Sequence, residues 1–180
     1  MRQQPMFVHE LIGEVVAKTA IAVMPELTAY SQYITDINYQ PGTFTEITKI
    51  LTTMSKQPSK EYRRYPLFAL IFSFNEDKGK VIGFDNEADL TLIIARRTEK
   101  AIGTLARYEQ NFKPVLYPIY LEFLNQLWLD PRFSTNQPEL IPHVKTDFPY
   151  YDGGNDKNPF NDCVDAIQIK IKLKILLKNC

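Results

Sequence analysis

The run from residue 167 to residue 175 constrains this chain most. Ile167, Ile169, Ile171, Leu173 and Ile175 alternate without a break with Gln168, Lys170, Lys172 and Lys174. Side chains of a strand point to opposite faces in turn, so this run reads as a strand with one dry and one wet face. A slip of one residue would bury the three lysines and expose the five apolar residues, so the register is decided. Such a strand requires a sheet, and the expected antiparallel partner is residues 67–74 or 88–96.

The rest of the chain supplies that sheet and its cover. Val8, Leu11, Ile12, Val15 and Val16 fall on one face of a helix expected over residues 7–19, with Pro25 ending any continuation. Residues 30–39, rich in Tyr, Ile and Thr, read as a short strand, and Gln40-Pro41-Gly42 as a turn. Thr43 stands three residues before Glu46, a capping-box spacing, and Ile47, Ile50, Leu51 and Met54 follow as a helical stripe ending near Ser55. Residues 67–74 form an apolar run suited to a strand buried on both faces. A charged turn over 75–80, a brief strand over 81–84 and a longer one over 88–96 follow. Leu116, Ile119, Tyr120, Phe123, Leu124 and Leu127 keep helical spacing behind Pro114 and Pro118, and Asp130-Pro131 stops that helix. Residues 133–161 carry Pro138, Pro142, Pro149, Pro159 and Gly153-Gly154, and read as a long irregular interaction loop.

The expected fold is therefore α/β of the α+β kind. A mainly antiparallel sheet of about four strands is packed by two to three helices, with the long loop before the last strand. A chain of 180 residues fits a single domain over 1–180. Two cysteines, Cys163 and Cys180, make no disulfide scaffold. No signal peptide and no bilayer-length apolar run is read, so a cytoplasmic product without membrane contact is expected. Lys and Arg number 21, as do Asp and Glu, so the basic excess of a general nucleic-acid binder is missing and self-association is easier.

The catalytic inventory is thin. No GxxxxGK[ST], HExxH, GxSxG or CxxC pattern occurs, and the chain has 7 glycines for cradling phosphates. His9, His143 and Cys163 match no zinc spacing. Asp152, Asp156, Asp162 and Asp165 lack calcium-loop spacing and suit turns. Gln168-Ile169-Lys170 with Asp147 or Asp165 upstream loosely matches a metal-dependent nuclease strand. Lys170, Lys172 and Lys174 already have an explanation as a solvated strand face or a protected edge. A phosphate-facing role for that row fits only a ring that concentrates it around a channel. The expectation is no enzyme, no metal and no cofactor.

Three segments carry a resemblance: Arg64-Tyr65-Pro66-Leu67-Phe68-Ala69-Leu70, Ala88-Asp89-Leu90-Thr91-Leu92-Ile93-Ile94, and the stretch from Arg107 through Asn111-Phe112-Lys113-Pro114 to Tyr120. With the N-terminal amphipathic helix, they resemble the small neck and tail-completion proteins of tailed bacteriophages. The likeness is to the tail-terminator-like, head-to-tail connector group in phages and prophages of Bacteroides-like hosts. The chain departs from that pattern over residues 30–55 and 133–161. The resemblance implies a virion structural protein, assembled in the host bacterial cytoplasm. It would form a homo-oligomeric ring, of six or twelve copies, between capsid portal and tail, with portal, neck or tail proteins as neighbours. In such a ring the row of Lys170, Lys172 and Lys174 would lie on the sheet's outer or lumenal face, and on the lumenal face it would meet any DNA that passes. Subunit contacts are expected in residues 75–80, 96–104 and 133–161, with Phe148, Tyr150, Tyr151, Phe160, Arg96 and Arg97 as anchors. The alternatives are the nuclease and a cytosolic protein-binding adaptor.

Overall fold

The computed structural model describes residues 7–72, 76–77, 86–99, 101–134, 141–148 and 163–176, with the side chains of 76–77, 86–87, 134 and 141–148 left out. Strand β7 (Val164–Ile175) lies at the heart of the sheet. It pairs antiparallel along its whole length with β4 (Asn86–Arg97), setting Leu90 opposite Ile171 and Ile94 opposite Ile167. The alternation holds: all five apolar residues from Ile167 to Ile175 are buried, Lys170 and Lys172 are exposed, and Lys174 is half-buried.

Beyond β4 lie β2 (Leu67–Ile71), antiparallel to it, and β1 (Asn38–Gly42), parallel to β2. Every residue of β2 is buried, as its unbroken apolar run requires. The short β3 (Glu76–Asp77) pairs with β4. On the other side of β7 lie β5 (Phe133–Ser134) and β6 (Ile141–Phe148). The class is thus α/β, with a mostly antiparallel mixed sheet. Because β7 has neighbours on both sides, the protected-edge reading of its lysines does not hold. Residues 141–148, read as loop, are strand, because β7 offers a second row of amides and carbonyls to satisfy. The expected strand over 81–84 lies outside the described residues.

Two long helices pack on one face. Helix α1 (Val8–Tyr30) runs on through Pro25, where the sequence suggested a stop. Pro25 and Ile21 are both exposed, so the carbonyl that proline leaves without a donor stands on the water side, while Val23 and Leu27 are buried beyond it. Residues 30–37 are consequently not strand. The strand begins at Asn38 and contains the Gln40-Pro41-Gly42 once read as a turn. Pro41 is tolerated because β1 is an outer strand. Gly42 takes φ 154, and a Cβ there would come within 3.2 Å of the Glu46 carboxylate, so both conformation and space call for glycine.

The capping box forms as read. The Thr43 hydroxyl accepts from the Glu46 amide, and the Glu46 carboxylate accepts from the Thr43 amide at 2.8 Å, opening α2 (Phe44–Ser55). A short α3 (Pro58–Glu61) and a 3-10 turn (Tyr62–Arg64) lead into β2. The helix read as starting after Pro114 starts earlier. α4 (Thr104–Arg107), a π-helical segment (Tyr108–Leu116) and α5 (Tyr117–Leu129) run without interruption. In the π segment the Tyr117 amide reaches the Phe112 carbonyl, five residues back. That wider turn buries Asn111 and Phe112 together with Val115 and Leu116.

Two apolar clusters follow from the strand periodicity. Leu90, Leu92 and Ile94 of β4 and Ile167 to Ile175 of β7 pack under α1 and α5, with Phe68 against Phe123 at 4.8 Å between ring centres. Ile93, Ala95, Val164 and Ala166 face the other way, under Ile47 and Leu51 of α2. Helix α2 covers only that half of the second face. The other half carries Asp89, Lys170 and Lys172, exposed to water.

Asp130 ties the helical layer to the strand that follows. Its carboxylate, 1% exposed, accepts from Arg132 Nη2 at 2.6 Å, Arg132 Nε at 2.8 Å and Lys18 Nζ at 3.2 Å. The Arg132 guanidinium holds the Asp130 carboxyl well below the usual carboxylate range. The unfolded chain therefore takes up this proton first, near pH 4, and the stability Asp130 supplies is present above that pH and lost as pH falls below it. Asp130→Asn is expected to cost about 1–3 kcal/mol at pH 7, and the gap to the parent should shrink at pH 3. Denaturant unfolding at the two pH values checks this; a gap that stays constant contradicts it.

Candidate functional site

Polar groups converge where β4 ends and β7 begins. In register Arg96 lies opposite Asp165, and Arg97 opposite Val164. Strand alternation sends Arg96 and Asp165 to the face of α1 and the π segment, and Arg97 to the face of α3. Asp165 is fully buried. Asn111 Nδ2 donates to its Oδ2 at 2.6 Å, and Arg107 Nη1 stands 3.6 Å from its Oδ1. Arg107, 3% exposed, also donates to the Ile102 carbonyl at 2.8 Å and the Glu99 carbonyl at 3.0 Å, so it fastens both backbone positions to the buried carboxylate. The Thr98 amide closes the sheet end on the Cys163 carbonyl at 2.9 Å. The Thr98 hydroxyl and Asp165 Oδ1 are buried without a hydrogen-bond partner.

Arg96 is half-buried beside this knot. Its Nη1 donates to the Gln110 carbonyl at 3.1 Å, and its guanidinium lies 5.3 Å from the centre of the Tyr30 ring. The Tyr30 hydroxyl donates to the same carbonyl at 2.9 Å. Loss of water pulls the Arg96 guanidinium below its usual value, but arginine at neutral pH stays a cation. Across the wall, Arg97 meets Glu61 at 3.5 Å and is largely exposed. Arg64, 5% exposed, bonds the Glu61 carbonyl and lies over the Tyr65 ring.

Arg96 and Arg97 separate two cavities. One, about 460 Å³, lies against Tyr33, Glu61, Tyr62, Arg64 and Tyr65. The other, about 420 Å³, is bounded by Thr98, Glu99, Ile102, Gln110 and Asn111. The π segment presents Gln110 and Asn111 there, and π turns occur often at functional positions.

The structure thus brings Arg96 and Arg97 together, with Phe148, the last residue of β6, paired to Val164 at the same sheet end. Tyr150, Tyr151 and Phe160 lie outside the described residues. Lys170, Lys172 and Lys174 belong elsewhere, on the open half of the second face, and Asp89 and Glu87 stand opposite Lys172 and Lys174 in register. Asp165 and Lys170 project from opposite faces of β7, and the side chain of Asp147, the other upstream candidate, lies outside the described residues. Among the described residues no group of three His, Cys, Asp or Glu is placed to hold a metal ion. His9 stacks between Phe7 and Phe72, at 5.8 and 5.7 Å. Among the described residues no helix is long and apolar enough to cross a membrane.

Asp165, Arg107, Asn111 and Tyr30 were not singled out for this site from the sequence. One signal was available: Asp165 stands in phase with Ile167, Ile169 and Ile171, a charge at the next position of an otherwise apolar face. In comparisons with known proteins, no family model, no curated protein and no solved structure matches this chain.

Proposed function

We propose that this protein is a structural component of a tailed-phage virion, a homo-oligomeric ring in the neck or tail-completion region that joins capsid portal to tail, and that it catalyses nothing. The segments that carry the resemblance are β2, β4 and the helical run around the π segment, all framework elements. One observation carries the assembly part of the reading. The helical layer turns large apolar side chains to water: Ile21 is 79% exposed, Leu121 61%, Trp128 52% and Leu129 69%. Exposed apolar side chains in this number on two adjacent helices suit a face that another chain covers, and tryptophan is a preferred anchor in such faces. The open half of the sheet, with Lys170 and Lys172, would then face the lumen or the outer wall.

Solution mass tests it. The parent chain should associate with rising concentration. Trp128→Glu should shift it toward monomer at unchanged fold stability, within about 0.5 kcal/mol, because an exposed side chain contributes little to the isolated fold. A parent that stays monomeric at every concentration, with Trp128→Glu indistinguishable, favours the adaptor.

A further inference from the structure

Arg96 is a half-buried cation that shares the charge of Asp165 with Arg107. It has lost part of its water, it lies on the Tyr30 ring, and its bond goes to a neutral carbonyl. Its register partner Asp165 is engaged by Arg107 and Asn111. Among the described residues no carboxylate stands within ion-pair distance of it. A desolvated charge is tolerated best when an opposite charge meets it. Arg97, next to it, meets Glu61 at long range in water, a weak tie, and no other carboxylate among the described residues. The cavity they border contains three arginines, Arg64, Arg96 and Arg97, against the single carboxylate of Glu61. Local positive charge is thus concentrated on a chain whose formal net charge is zero.

The same cavity offers aromatic surface. Tyr33 is 70% exposed and Tyr62 43%. The Tyr62 ring is held in place, with the Arg63 guanidinium 5.4 Å from its centre and Arg63 Nε donating to its hydroxyl at 3.0 Å. A volume of about 460 Å³ lies in the range of small-ligand sites.

We propose that this cleft binds a phosphate carried on a planar base, either a free nucleotide or one unit of a single-stranded nucleic acid, with the phosphate on the exposed Arg97, Arg96 adding positive charge from the other side of the strand end, and the base on Tyr33 and Tyr62. A guanidinium group recognises phosphate oxygens by charge-assisted hydrogen bonds, and tyrosine faces stack bases without sequence preference. The inference does not depend on ring assembly.

Calorimetric titration of the full chain at low salt tests it, with inorganic phosphate, adenosine, adenosine monophosphate, a ten-residue oligothymidylate and a glutamate-rich peptide as probes. Adenosine monophosphate should bind about tenfold tighter than phosphate or adenosine alone, and more weakly as salt rises. Arg97→Gln, on an exposed side chain that folding does not need, should lose about tenfold, and Arg96→Gln less, because that guanidinium is turned to Gln110 and Tyr30. Tyr62→Leu should weaken the nucleotide but not inorganic phosphate. Lys170→Gln, which removes a charge from the other half of the sheet, should change nothing. Oligothymidylate binding tighter than the mononucleotide, with the same loss in Arg97→Gln, assigns the polymer; equal or weaker binding assigns the free nucleotide. The proposal is overturned by no binding at millimolar nucleotide, by equal loss in Lys170→Gln, or by preference for the acidic peptide.

Discussion

Ile171→Lys should yield no folded protein, while Lys172→Glu, one residue along, should fold as the parent does. Ile171 is 3% exposed, opposite Leu90, in the cluster beneath α1 and α5. The substitution forfeits about 1.5–3 kcal/mol of apolar burial and forces a cation into that layer, at several kcal/mol more. Together these approach the 5–15 kcal/mol of a whole domain. Lys172 is exposed opposite Asp89, so a glutamate there sets like charges across the strands, at roughly 0.2–1 kcal/mol. Circular dichroism and denaturant unfolding separate the outcomes, and equal loss of solubility from both changes contradicts the register.

The second large effect is expected at Arg107. Arg107→Ala leaves the fully buried Asp165 with Asn111 as its remaining partner and releases the carbonyls of Glu99 and Ile102. Breaking a buried ion pair from one side costs about 3–5 kcal/mol, because the remaining charge stays buried. Asp165→Asn in turn leaves the buried Arg107 cation with the Glu99 and Ile102 carbonyls but no counter-charge from Asp165, and should cost a similar amount, about 3–5 kcal/mol. Urea unfolding of the two variants and their double mutant gives both figures and the coupling between them. An Arg107→Ala change within about 0.5 kcal/mol would show that the pair does not hold the sheet end.

Periodicity made the body of this fold legible. An alternation of period two determined β7 and its faces, and an unbroken apolar run determined β2. Spacing at i, i+3 and i+4 found α1, α2 and α5, and a capping box placed the start of α2. Proline was misread three times, each for a physical reason. At Pro25 buried Val23 and Leu27 outweigh one lost hydrogen bond, and the orphaned carbonyl meets water. At Pro41 the strand is an outer one. At Pro114 a π turn carries the helix through. β6 was missed because its partner lies across a long connection, and pairing of that kind leaves no local trace. Of the candidate site, Arg96 was legible as the end of a strand, while Arg97, expected in the loop beyond it, is the last residue of β4. The knot of Asp165, Arg107 and Asn111 was not, because it joins Arg107 and Asn111 to a carboxylate 54 or more positions further along the sequence.

Electron microscopy of the native assembly tests the central claim most directly. The account predicts a closed ring built of copies of this chain, set between capsid portal and tail, with Trp128, Leu129 and Ile21 covered where subunits or neighbouring rings meet. A single copy of the chain within an unrelated enzyme complex, with that helical face open to solvent, would contradict it.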